Sequence, residues 1–176
     1  MKTEYLLDRE VDLVLAALTP RNALIMRVAL HTGLRSSDVL SIKTDQLASR
    51  FWVTEMKTRK RRQIGLPEPL LSDIKKQAGK VWAFESPRTG KPHTRQAVWK
   101  DVKRAAWAMR LPQNVAPHSA RKVFSVDLLR KYGDIEKVRR ALNHSSTSVT
   151  LVYALADQML ESKNKRRRAA AGRRIV

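Results

Sequence analysis

The segment FWVTEMKTRKRRQIGLP, residues 51–67, decides the fold class of a chain whose pattern is otherwise helical. Phe51–Thr54 and Gln63–Leu66 are short, partly β-branched runs, and the residues between them are almost all basic. Two such runs around a polar stretch read as a β-hairpin with a cationic turn. Lys57 lies in that turn, followed by Arg59, Lys60, Arg61 and Arg62.

On the N-terminal side, Leu6, Leu7, Val11, Val14, Leu15 and Leu18 recur at helical spacing, with Asp8 as the expected N-cap. Pro20 restarts the chain in a longer helix, RNALIMRVALHTG, with Gly33 as its expected C-cap. Ser36 or Ser37 is expected to cap a short helix through Val39 and Leu40. On the C-terminal side, helices are expected near residues 68–78 and 94–109, separated by the loop ESPRTGKP. Pro117 opens a helix carrying Val123, Phe124, Leu128 and Leu129, which Gly133 breaks. Asp134 then starts DIEKVRRALNH, and Ser145 and Ser146 start SSTSVTLVYALADQML. The basic tail ESKNKRRRAAAGRRIV has little to bury and is expected to be mobile or extended when alone. The expected class is therefore α+β and mainly helical, with a small antiparallel hairpin. Residues 1–162 form the expected domain and 163–176 the tail.

Composition narrows the function. The chain has 176 residues, of which 43% are hydrophobic, enough for a core. It has no cysteine, which removes disulfides and thiolate sites. No apolar run approaches the roughly 20 residues needed to span a bilayer. Thirty-six Lys and Arg against sixteen Asp and Glu give a net charge of +20. Such a field repels itself unless a polyanion neutralises it, and nucleic acid is the leading partner. Charge alone specifies phosphate, not sequence and not chemistry.

The four histidines, His31, His93, His118 and His144, contain no H-E-x-x-H pair, and the acids are scattered, so no metal site is expected. Gly79-Lys80 and Gly90-Lys91 lack the rest of a P-loop. Metal-free phosphoryl transfer remains. It needs a nucleophile, fixed positive charge on the non-bridging oxygens and an acid for the leaving oxygen. Arginine suits the second need because it stays protonated and grips phosphate with a planar fork. Arg35, in HTGLRSSDVL, follows a glycine C-cap and precedes a new helix, with Asp38 placed to orient it. A surface arginine capping the preceding helix explains the segment equally well. His118 and Arg121, in PHSARKVFS, share a helix face at i and i+3, which is also the spacing of a capping histidine beside a solvated arginine. Lys57 is either a proton donor or a phosphate-gripping lysine. Tyr153, nine residues after His144, is by itself as consistent with a core-edge tyrosine.

The order of these elements is more specific than any one of them. Arg in TGLR, Lys in a hairpin, H-x-x-R, then His, then Tyr resembles the tyrosine recombinase (phage integrase) family across its C-terminal catalytic domain. The resemblance implies that Arg35, Lys57, His118, Arg121, His144 and Tyr153 are catalytic and that Asp38 supports Arg35. It further implies that Arg59, Lys60, Arg61, Arg62, Arg95 and Lys122 are candidate DNA contacts. Tyr153 would attack a DNA phosphodiester and form a 3′-phosphotyrosine, with no metal or other cofactor. The implied function is that of a site-specific recombinase or integrase. The alternatives are a type IB topoisomerase-like relaxing enzyme and a non-catalytic basic DNA-binding protein. The implied partners are double-stranded DNA and further copies of the chain, as a dimer to tetramer. The implied location is the cytoplasm, nucleoid-associated, of a prokaryote or phage host. About seven residues precede the first helix, so an N-terminal DNA-clamping domain, where the parent protein has one, is not in this sequence. Ala120 and Lys122 stand where the family often has Leu and His. Asn143 stands where it often has Gly, and is expected to take over a left-handed turn.

Overall fold

Helix α2, Pro20–Thr32, is the element against which α1, Asp8–Ala17, α3, Ser36–Leu40, α4, Glu68–Gln77, and α5, Arg95–Ala108, all pack in the computed structural model of the protein. The model describes residues 3–143. His144, Tyr153, the helix expected from Ser145 and the basic tail lie outside the described residues. The described chain falls into one compact unit ending at Phe124 and a second beginning at Ser125.

Pro20 is the first residue of α2, where its fixed φ suits the helix and its missing N–H is no loss. Ile25, Met26, Val28 and Ala29 recur along one side of α2 and are buried. The three larger of these, Ile25, Met26 and Val28, contribute about 1.5–3 kcal/mol each when fully buried. Helix α1 is capped differently from expectation. Leu7, not Asp8, stands at the N-cap, and its N–H donates to the Glu10 carboxylate at 2.8 Å. Asp8 is instead the first helical residue, where its charge faces the positive end of the helix.

A polar knot ties the α1–α2 junction to α5. The Asp101 carboxylate accepts from Thr19 N at 2.9 Å, Thr19 Oγ1 at 2.8 Å and Asn22 Nδ2 at 2.8 Å. Arg104 also donates to it, through Nε at 2.9 Å and NH2 at 2.6 Å. Burial alone would raise the pKa of Asp101, but these donors overcome it and hold the carboxyl at about 2.

The expected hairpin is present, with β1 at Arg50–Thr54 and β2 at Arg61–Gly65. The strands are antiparallel and pair Phe51 with Ile64 and Val53 with Arg62. Phe51, Val53 and Ile64 are buried, while Trp52 is exposed on the other face under the Arg61 guanidinium, 5.2 Å from the ring centroid. β2 begins at Arg61 rather than Gln63, so Arg61 and Arg62 belong to the strand and not to the turn. The turn is closed by Glu55 N to Lys60 O at 3.0 Å and by Arg59 N to Glu55 O at 2.8 Å. Arg59 takes the left-handed position at φ 58°.

Between α4 and α5, a Cβ added to Gly79 would come within 2.3 Å of Glu85, so glycine is what lets the two segments touch. Helix α6, Pro117–Tyr132, runs through the boundary between the units. Within the second unit it ends at Gly133, φ 64°, whose N–H donates to Leu129 O. Asp134 then caps α7, Ile135–Ala141, by accepting from Glu136 N and Lys137 N. Asn143, at φ 50°, takes the left-handed turn expected of it. Among the described residues no helix is long and apolar enough to cross a membrane.

Asp101→Ala leaves the donors of Thr19, Asn22 and Arg104 without their acceptor, and is expected to cost about 3 kcal/mol of unfolding free energy in urea titrations. The Asp101 pKa is depressed on folding. Its contribution is therefore complete above the unfolded value of 3.8 and is lost as pH falls through about 2. Asp101→Asn is expected to remove that part of the acid-induced loss.

Candidate active site

Two turns of backbone place Arg35. Gly33 ends α2 in the left-handed conformation, φ 66°, with its N–H on Ala29 O. Leu34 N donates to Thr32 Oγ1 at 3.2 Å, and Arg35 follows in an extended conformation. Arg35 itself occupies the N-cap position of α3, and neither Ser36 nor Ser37 caps that helix. Its side chain is 22% exposed, with NH1 2.7 Å from Glu55 Oε2 and 3.8 Å from Asp38 Oδ2. The tighter partner is thus Glu55. Asp38 is fully buried, and its Oδ1 accepts the Met56 N–H at 3.0 Å.

His118 and Arg121 lie on the first turns of α6. Arg121 is 1% exposed, and its NH1 donates to Gly33 O at 2.6 Å. The carbonyl of the turn that sets Arg35 therefore also holds Arg121. Burial, and then the charge of Arg35, bring Arg121 down to about 10, against the opposing pull of Glu55. It stays protonated near neutral pH. His118 keeps an exposed edge on the α6 surface, but protein crowds round the rest of its ring. Desolvation, and then Arg121, Lys122, Arg35 and Lys57, lower its pKa to about 4, so its ring is neutral at pH 7.

Arg35, Lys57, His118 and Arg121 line one open cleft of about 1320 Å³. Lys57 reaches it from the hairpin turn, where it is exposed. Trp82, His93, Arg95 and Trp99 also line it. Arg95 is the exposed first residue of α5, just after Thr94, whose side chain caps the helix by accepting from Ala97 N. Four cations, Arg35, Lys57, Arg95 and Arg121, line this cleft, and a phosphate entering it would meet Arg35 and Arg121 already held in place.

The basic residues expected at the surface divide. Arg59, Lys60 and Arg61 are exposed. Arg62 is turned inward instead: its side chain is 12% exposed, NH2 donates to Thr32 O at 2.8 Å, and Nε lies 3.8 Å from Glu55 Oε1. Burial lowers its pKa, opposed by Glu55 and Asp38. Lys122 is half-buried, with its Nζ donating to Thr3 O.

Two residues of the site were not anticipated: buried Glu55 behind Arg35, and His93 in the cleft lining. Glu55 is the lone acid ahead of a run of cations, and strand alternation carries the signal: Phe51 and Val53 face inward, so Glu55 does too. The same rule turns Arg62 inward beside Ile64. His93 had no such signal. Its Nε2 lies 3.1 Å from Asn22 Oδ1, and Asn22 gives its amide hydrogen to Asp101, so His93 carries its proton on Nε2 in the neutral ring. Desolvation, and then Arg21, lower its pKa, opposed by Asp101.

A family model described as the phage integrase family matches residues 4–159. The probable integrase/recombinase YoeC of Bacillus subtilis (strain 168) is 32% identical over 156 residues, covering 85% of this chain and 86% of that protein. A tyrosine recombinase of Thermosipho africanus (strain TCF52B) is 29% identical, with 88% of this chain matching 58% of that protein, so the chain spans little more than half of that relative. A lambda integrase (75–356) dimer bound to a COC′ core site shares the fold, with a TM-score of 0.76 at 19% identity over 88% of this chain and 60% of that one. With the family model covering most of the sequence, this chain belongs to the phage integrase family.

Proposed function

We propose that the chain is the catalytic domain of a site-specific recombinase that cleaves and rejoins double-stranded DNA through a 3′-phosphotyrosine at Tyr153. The observation that carries this reading is the convergence of Arg35, Lys57, His118 and Arg121 on one cleft from separate segments of the chain. In this reading the Tyr153 oxygen attacks the scissile phosphorus and the P–O5′ bond breaks. The tyrosyl proton passes to His118, and Lys57 gives a proton to the leaving 5′ oxygen. Arg35 and Arg121, with His144, hold the non-bridging oxygens as charge builds on them. The new phosphodiester keeps the bond energy, and a 5′-hydroxyl from a second strand reverses the step. Strand exchange needs two duplexes, and we propose that the protein works on DNA as a dimer to tetramer. Arg59, Lys60, Arg61 and Arg95 are placed in this reading to hold the duplex through its phosphates.

A tyrosine titrates at about 10 in isolation, so attack near neutral pH relies on the surrounding cations and a proton acceptor. Burial first, and the surrounding cations second, hold His118 at about 4, where it is a weak base. A phosphate entering the cleft opposes the part of that shift due to the cations and raises the ring towards its ordinary value, making it a better acceptor.

Tyr153→Phe is expected to abolish covalent attachment to a nicked suicide duplex carrying the recombination site, read on denaturing gels, while leaving binding in mobility shifts nearly unchanged. Normal adduct from that variant would refute the assignment. Arg35→Ala is expected to slow adduct formation by about 10²–10³-fold. NMR titration of the His118 ring is expected to give a midpoint near 4 in the free protein and a higher one with duplex bound. Because folding depresses this pKa below 6.5, the unfolded chain takes the proton first, and stability falls as pH drops from 6.5 towards 4.

A further inference from the structure

Two buried carboxylates cross between α3 and the hairpin. Asp38 of α3 accepts the Met56 N–H of the hairpin turn at 3.0 Å. Glu55, just past β1, holds Arg35 at the start of α3 at 2.7 Å. The same Glu55 oxygen, Oε2, also accepts from Thr58 Oγ1 at 3.1 Å, and that hydroxyl accepts the Lys60 N–H at 3.4 Å. Lys57 thus sits between Met56, held by Asp38, and Thr58, held by Glu55.

We propose that Glu55 is a positioning residue that sets Arg35 and Lys57 relative to one another, with Thr58 as its handle on the turn. This rests on the reading above, in which Arg35 stabilises the phosphoryl oxygens and Lys57 protonates the leaving oxygen of the same transition state. The two side chains come from different elements, and Lys57 is an exposed lysine on a turn. One oxygen atom bonded to both the guanidinium and the turn fixes their separation more directly than packing does. Glu55 is itself assigned no chemical step. Its effect passes through Arg35 on one side and Lys57 on the other. Thr58 then has a physical task of its own: without its hydroxyl, Glu55 keeps Arg35 but loses that bond to the turn.

That separation makes the proposal testable. When sulfur replaces the bridging 5′ oxygen of the scissile phosphate, the P–S bond breaks to release a thiolate, which leaves without being protonated. Loss of general acid is therefore masked, and loss of Arg35 is not. Thr58→Ala is expected to slow covalent-complex formation on the oxygen substrate by about 10²-fold, as a small misplacement of a reacting group does, and to be restored on the sulfur substrate. Lys57→Ala is expected to behave the same way, and adding Thr58→Ala to it should cost nothing further on either substrate. Glu55→Gln, which disturbs both sides, is expected to be slow on both substrates and slower on the oxygen one. An equal loss on both substrates for Thr58→Ala, or no loss on either, overturns the proposal. Trypsin gives a readout that does not depend on catalysis. Cleavage after Lys57, Arg59 and Lys60 in the folded protein is expected to be faster in Thr58→Ala and Glu55→Gln than in the parent. Unchanged cleavage in both variants overturns the tie even where the parent forms no covalent complex, an outcome that would sink the recombinase reading separately.

Discussion

The guanidinium of Arg121 is almost wholly removed from water, and it stays charged because the fold surrounds it with the negative ends of other groups. Gly33 offers a carbonyl at 2.6 Å, and the carboxylates of Glu55 and Asp38 oppose the repulsion from Arg35 and Arg62. A buried arginine without such company costs several kcal/mol. Much of the local architecture follows from meeting that requirement. The α2–α3 turn must present its carbonyl inward, an acid must follow β1 directly, and α3 must carry a second acid three residues after Arg35. Three arginines and two carboxylates within one wall make a network whose members are poorly replaced singly, because removing any acid strands the cations beside it.

The hairpin and the helices of the described region were legible because hydrophobic spacing, prolines and glycines agree there. Pro20, Gly33, Pro117, Gly133 and Asp134 all mark the boundaries that the sequence suggested. The misplacements are local. Asp8 and the Ser36–Ser37 pair looked like caps by residue type, yet Leu7 and Arg35 hold those positions: Glu10 reaches back locally to the Leu7 N–H, and Arg35 is held by its tertiary contact to Glu55. β2 took in Arg61 and Arg62 because their backbone pairs with Thr54 and Val53, a cross-strand fact that composition does not carry.

At the site, residue order pointed to Arg35, Lys57, His118 and Arg121, and the fold brings these four to one cleft. What order did not reveal was which charges face one another. Asp38 lies at the helical spacing for orienting Arg35, but the shorter contact comes from Glu55, twenty positions away in sequence. His93 illustrates the other limit. Its place beside Asn22 depends on a contact across 71 positions, and nothing near it in sequence distinguishes it from a loop histidine.

The inward turn of Arg62 and the tie between Arg35 and Glu55 bear on how binding should respond to ionic strength. A cation that already faces a carboxylate within the protein meets a phosphate by exchanging one fixed counter-charge for another, and it sets few salt ions of the DNA's ion atmosphere free for that reason. Cations in water, such as Arg59, Lys60 and Arg61, have no such internal counter-charge. Salt dependence of affinity follows the number of phosphates newly neutralised. It should therefore register the outer hairpin and the N-terminus of α5 far more than the charges at the centre of the cleft, leaving the grip on the reacting phosphate comparatively indifferent to salt.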